Sequence, residues 1–278
     1  MTQRTQHPLP FRTELIRQVR RRRTLVAFLL MLALPLFVVL AIKFGPASGS
    51  SSSTGSVNLI DLSTKGAWNF VLVMLFFGSG FLLTTVTALF FGDTVAGEAS
   101  WSTLRYLLSA PVPRRRLLWV KLRVAALLSL AAVAALTLIS FAIGWVAFGG
   151  ASLVSPVGGT FTTGAALGRV LVVAGYISCS LLVAAGLAFF VSVRTDVPLG
   201  AVGSAVIIVI VLQILDAITA LGDLRNWLPG HYSQAWTDAL SPSIDWSNMA
   251  RGSAYAVVLF AVFVTIGVLA FDRKDITS

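Results

Sequence analysis

The chain has 278 residues, of which 56% are hydrophobic and only 12% charged, and its mean hydropathy is +0.87. Soluble domains carry about 25% charged residues, so a water-soluble core is excluded for want of polar surface to cover it; the apolar content excludes disorder, and a lone Cys179 excludes a disulfide scaffold. A polytopic membrane protein remains, and the net charge of +10 becomes a question of which side of the membrane the cations occupy.

In chain order, the first element is a basic amphipathic segment from Pro8 to Arg23. Phe11, Leu15, Ile16 and Val19 fall on one helical face, and Arg20, Arg21, Arg22 and Arg23 can reach anionic headgroups. A basic tail that only enforces topology fits the same residues. Crossing a bilayer as a helix takes about 20 apolar residues, and the first such run is Thr24 to Ile42, which Pro35 should kink. It is longer than a signal-peptide core and no A-x-A site follows, so it reads as an uncleaved anchor. Gly45 to Gly55 is a Ser/Gly-rich flexible loop. Further spans are expected at Ala67 to Phe91, Val124 to Phe148, Val170 to Val193, Val197 to Leu221 and Gly252 to Phe271. They should be helices, because lipid cannot satisfy an open backbone. Between the fifth and sixth lies Gly222 to Arg251, where Trp227, Tyr232, Trp236 and Trp246 stand beside Pro229 and Pro242. Amphipathic aromatics suit the headgroup level, so this segment reads as short interfacial or re-entrant helices, or as an ordinary external loop with interfacial anchors.

Orientation follows from Lys and Arg. The N-terminal segment, the loop after the second span, Arg194 and the C-terminal tail together hold 16 of them, against five on the other side: Lys43, Lys65, Arg169, Arg225 and Arg251. Both termini are therefore expected in the cytoplasm, and the charge is a topology signal rather than a nucleic-acid surface. The expected fold is an all-α integral membrane protein forming a single transmembrane domain over residues 1–278. It comprises six transmembrane helices, an N-terminal surface helix within residues 1–23, a cytoplasmic loop at 92–123 and an external loop at 222–251.

Catalytic and metal chemistry is not suggested. The two histidines, His7 and His231, fall in different compartments, and there is no H-E-x-x-H, no G-x-S-x-G and no Walker-type phosphate loop. Asp216, the one acidic residue in a span, lies near its outer end, where a carboxylate reaches water; a proton carrier keeps such groups deeper. Other polar residues in the spans include Asn69, Thr84, Thr85, Thr87, Ser178, Ser180 and Gln213. They can glue helices together, and a few can line a path for an amphipathic cargo. No internal repeat of the kind many secondary carriers show is visible.

The informative stretch is GDTVAGEASWSTLRYLLSAPVPRRRLLWVKLR, Gly92 to Arg123. Asp93 to Ser109 can form a helix, with Trp101, Leu104 and Leu108 on one stripe and with Glu98 near its start and Arg105 near its end, as the helix dipole favours. The helix should stop before Pro111. Pro113 suits the first turn of a second helix, which would set Arg114, Arg115 and Arg116 at the headgroups and run on into the third span. From periodicity alone, a mechanical handle for a partner and a helix lying on the inner leaflet fit equally well.

This stretch resembles the cytoplasmic loop of type-2 ATP-binding-cassette (ABC) exporter permeases. The residues that carry the resemblance are Asp93, Gly97-Glu98, Ser102-Thr103-Leu104-Arg105, Leu107-Leu108, Pro111-Val112, Arg114 to Arg116, Leu117-Leu118 and Lys121, with Ser102 where the family often has Gly. The resemblance implies a permease subunit that pairs with a second copy or a similar chain and docks a coupling helix on a separate ATPase subunit. On that reading Glu98 and Arg105 are polar contacts to the ATPase, Trp101, Leu104 and Leu108 are the packing face, and ATP and Mg belong to the partner, with no cofactor on this chain. The implied function is export of a lipophilic or amphipathic cargo across the plasma membrane. Two readings of other classes remain: an ATP-independent carrier or channel, for which no intramembrane ionisable group or filter is seen, and a non-transporting assembly or sensor subunit. An intramembrane enzyme lacks the constellation it needs.

Overall fold

The structure is a computed structural model that describes residues 11–44, 59–100, 114–150, 152–155 and 159–272. It is built almost wholly of helices, and six of them are long and apolar enough to cross a membrane. A short helix α1 (Phe11–Val19) leads into the first of these, α2 (Arg22–Phe44), which runs unbroken through Pro35. A one-turn helix α3 (Leu59–Ser63) precedes the second span, formed by α4 (Ala67–Phe77), a wide π turn (Gly78–Leu82) and α5 (Leu83–Ser100). The third is the single helix α6 (Arg114–Phe148). A two-residue antiparallel pair, β1 (Leu153–Val154) and β2 (Thr160–Phe161), leads to the fourth, α7 (Thr163–Ser180) followed by α8 (Leu182–Arg194). The fifth is α9 (Pro198–Ala217), and two short 3₁₀ stretches, Thr219–Trp227 and His231–Leu240, connect it to the sixth, α10 (Ser247–Asp272).

The apolar runs located the spans, and the helices overrun them at polar ends. The second span continues past Phe91 to Ser100, and the third begins at Arg114 rather than Val124. Pro113, expected in the first turn of that helix, lies outside the described residues. The fifth stops at Ala217, short of the expected Leu221. Leu181, at φ −63° and ψ −14°, interrupts the fourth.

The helix α8 is the centre of the bundle, packed between α5, α9 and α10. In lipid there is little hydrophobic drive between helices, so close approach of small residues does the work. Gly186 shows it: a Cβ there would lie 3.1 Å from the Phe260 Cα of α10. The outer faces are apolar and unpartnered, with Leu29 62%, Phe37 72% and Val146 86% exposed. Contiguous apolar surface on that scale suits a bilayer and not water.

The two ends of the bundle differ. One end gathers α1, the start of α6 and the ends of α5 and α10, and holds a buried cluster of charged residues; Arg115 Nη2 meets Asp272 Oδ2 at 2.8 Å there. The other end is closed by backbone-binding side chains. The Asn69 amide receives the Val154 N–H at 3.0 Å and donates to the Val154 carbonyl at 2.6 Å, which fixes β1 on the second span. Arg169, buried without a carboxylate partner among the described residues, lies 3.7 Å from the Phe161 ring centroid. It donates to the carbonyls of Ala239, Ser241 and Pro242, where the 3₁₀ stretch His231–Leu240 ends. A cation is favoured at such a carbonyl end. Asp216 lies at the C-terminal end of α9, 2.7 Å from His231 Nδ1 and 3.5 Å from Arg225 Nε.

Candidate functional site

At one end of the bundle, Asp93, Glu98 and Lys121 of the loop segment pack against the N-terminal helix. The helix α1 is amphipathic in an unusual sense. Glu14 is its one buried residue, while Phe11, Ile16 and Val19 are exposed. Its polar face turns toward the protein and its apolar face away from it, the pattern of a helix whose surroundings are lipid.

Four elements meet under that polar face. Arg17 of α1 grips Glu14 through Nε and Nη2, both at 2.9 Å, and its Nη2 also donates to Glu98 Oε1 of α5 at 2.6 Å. Lys121, inside α6, donates to the same Glu98 oxygen at 2.8 Å and stands 3.6 Å from Glu14 Oε1. Arg21 and Arg23, at the junction of α1 and α2, both bind Asp93 of α5, and Arg21 Nη2 is 3.7 Å from Glu98. Glu14, Asp93, Glu98 and Lys121 are all at most 4% exposed. Charges so buried are held only where they are paired and hydrogen-bonded, and this cluster pairs every one of them.

Electrostatics follow from that pairing. Burial works against ionisation of Glu14, but the Lys121 charge and the Arg17 hydrogen bonds outweigh it and hold the carboxyl below its usual range. Burial likewise opposes the Arg17 charge, and the hydrogen bonds to Glu14 and Glu98 more than offset it, fixing the guanidinium in its charged form.

Local sequence makes the cluster possible. Asp93 and Gly97 are one turn apart on α5, and a Cβ at position 97 would lie 2.1 Å from Asp93 Oδ1. The glycine leaves room for the Asp93 side chain to lie along its own helix toward Arg21 and Arg23. On the opposite side of α5, the N–H groups of Val95 and Ala96 donate to Ser192 Oγ at 3.1 and 3.0 Å, which ties this end of α5 to α8.

Of the residues expected to contact a partner, Glu98 is buried, its carboxylate turned inward onto Lys121 and Arg17. Trp101, Leu104, Arg105 and Leu108 lie outside the described residues. Of those expected at the membrane surface, Arg20, Arg22, Arg115 and Arg116 are exposed, whereas Arg21 and Arg23 are partly covered and bind Asp93. Arg114 opens α6. Sequence reasoning missed Glu14, Arg17 and Lys121 as one cluster, and the available signal was compositional: three acidic residues in segments otherwise dominated by arginine, each opposite a cation once the spans are folded back. It also missed Arg169 as a cap, since a lone arginine at a span boundary reads only as a topology charge.

Residues 58–277 match the model of a family described as "Protein of unknown function (DUF2705)". The chain belongs to the DUF2705 family. No curated protein matches it. Asp93, Glu98 and Lys121 fall inside the part that matches the DUF2705 model, whereas Glu14, Arg17, Arg21 and Arg23 lie before it. The cluster thus joins the DUF2705 body to the N-terminal segment that precedes the match.

Proposed function

We propose that this chain is the membrane-spanning permease subunit of an ATP-driven ABC exporter for a lipophilic or amphipathic cargo. It would lie in the plasma membrane with both termini cytoplasmic, paired with a second permease subunit and powered by a separate ATPase that carries ATP and Mg. The observation that carries this reading is the Glu98–Lys121 pair. These two residues stand at the ends of the segment that resembles the family's coupling loop, and both are fastened to α1. A push on that loop would therefore reach the second span, the third span and the N-terminal helix together rather than bend one of them. Glu98 then serves as a positioning residue that holds the loop's root, and Trp101, Leu104, Arg105 and Leu108 supply the surface for the partner.

The test is co-expression of the full chain with a candidate cytoplasmic P-loop ATPase, followed by co-purification and measurement of ATP turnover and cargo flux in liposomes. The expected result is a stable complex in which Trp101→Ala with Arg105→Ala leaves membrane insertion intact but separates ATP turnover from flux. Wild-type flux from that double variant would refute the docking assignment. Flux by the purified chain alone, driven by an ion gradient without ATP, would replace the proposal with an energy-independent carrier. A stable complex that moves no cargo would favour an assembly or sensor subunit.

A further inference from the structure

Two departures from regular helix line the same space at the end of the bundle opposite the charged cluster. The π turn Gly78–Leu82 in the second span and the interruption at Leu181 in the fourth both border one open recess. π turns inside helices recur at functional positions. Residues of α9 and of the connection between α9 and α10 form the remaining wall.

The recess is built and held open. Tyr176 of α7 donates its hydroxyl to the Tyr232 carbonyl, and the Tyr232 ring stacks on Tyr255 of α10 at 5.7 Å. A Cβ on Gly252 would lie 2.2 Å from the Tyr176 hydroxyl, so only glycine admits this closure. By contrast, a Cβ on Gly80 would meet nothing within 4 Å, so the π turn faces unfilled space.

The lining is mainly apolar, with a few polar groups set into it, and carries no charged residue among the described residues. Ser79, Thr84 and Ser180 give their hydroxyl protons to the carbonyls of Phe76, Ser79 and Ile177 at 3.0, 2.9 and 2.9 Å. Their oxygens keep lone pairs and act toward a ligand as acceptors. Gln213, half-buried in the fifth span, also lines the recess, and its side-chain amide has no hydrogen-bond partner among the described residues. A polar amide left unpaired in a membrane span is costly. Acceptors without charge, beside an amide that offers both donors and an acceptor, match a neutral group rich in hydroxyls.

We propose that this recess binds the uncharged, hydroxylated headgroup of an amphiphile, a sugar- or glycerol-bearing lipid, with Gln213 as its main polar contact and the acyl chains lying along the apolar outer faces of the spans. Whether the bound molecule is then moved rests on the permease reading; binding does not, and it is measured without any ATPase, so the two can fail separately.

The experiment is native mass spectrometry of the full chain from nanodiscs of dioleoylphosphatidylcholine containing equal amounts of monoglucosyl-dioleoylglycerol and dioleoylphosphatidylglycerol. One or two added hydrogen bonds predict about five- to thirtyfold enrichment of the glucolipid on the wild-type protein over its bulk share. Gln213→Leu removes the amide without changing charge, and Gly80→Phe fills the space from a position with room for a side chain. Each should return the retained lipids to bulk proportions, and if one fails to fold the other decides. Enrichment that survives in every folded variant, no enrichment on the wild type, or preferential retention of phosphatidylglycerol or phosphatidylcholine would overturn the proposal.

Discussion

Glu98 and Lys121 are 23 residues apart in sequence, and their charged atoms lie 2.8 Å apart between two spans. Both are almost completely buried, at 3% and 4% exposure. Replacing Lys121 leaves Glu98 held by Arg17 and Arg21, and replacing Glu98 leaves Lys121 beside Glu14 at 3.6 Å, so each single change loses one charge-assisted hydrogen bond, worth about 1.5–3 kcal/mol. Lys121→Met should therefore unfold at a markedly lower temperature in detergent. Lys121→Met with Glu98→Gln should lose less than the sum of the two single changes, because the bond between them is lost only once. Additive losses would show that the pair does not interact.

Gly97 owes its place to Asp93. An added methyl would occupy the position of the Asp93 carboxylate and push it off Arg21 and Arg23. Gly97→Ala should cost about 1–3 kcal/mol as a local overpacking, although alanine is the better helix former. In an Asp93→Ala background the clash disappears, so the same substitution should be neutral or stabilising there. A double-mutant cycle by thermal unfolding reads this directly.

Glu14 gives the docking of α1 an acid-sensitive component. Its carboxyl is held below the usual range by Lys121 and Arg17, against the effect of burial. A group with a depressed folded pKa contributes stability that is fully present above its unfolded value, about 4.3 for glutamate, and is lost as pH falls through the folded value. Protease protection of the α1–α2 junction should thus be unchanged from pH 7 to about 5 and fall in more acid solution. Glu14→Gln should show weakened protection already at pH 7 and a shallower acid limb.

Arg169 tests the other end of the bundle. Its guanidinium reaches carbonyls on both sides of Leu240 while lying over the Phe161 ring. A lysine keeps the charge but lacks the fork and the flat face. Arg169→Lys should cost about 1–3 kcal/mol, the range for leaving buried polar groups unsatisfied. Hydrogen exchange should rise across residues 231–242 and stay unchanged at the charged end.

The spans were legible because about 20 consecutive apolar residues have few alternatives to a membrane helix. Their polar ends were not. Asp93 and Glu98 look like the start of an exposed loop, and it is arginines 70 or more residues earlier, together with Lys121, that make it possible to bury them in a continuing helix. Local pattern cannot show a partner so distant in sequence. The same holds for Asn69, legible as a polar residue within a span but not as the clamp on Val154, 85 residues away. The π turn at Gly78 and the interruption at Leu181 carry no proline or charge, so hydropathy runs through them without a mark. What the loop motif did convey was that Gly97 and Glu98 belong together. The glycine makes room for one buried carboxylate, and the residue after it supplies another.

The paired irregularities in the second and fourth spans have a mechanical consequence. Both border one recess and so sit at one level of the bundle, and neighbouring α-helices elsewhere pass that level as unbroken rods. Of the two, the π turn is the softer joint, because the Leu181 N–H and carbonyl still make α-helical hydrogen bonds at 3.0 Å. A tilt of the second span would bend it most readily at Gly78, altering the shape of the recess beside it while the long rods keep their footing.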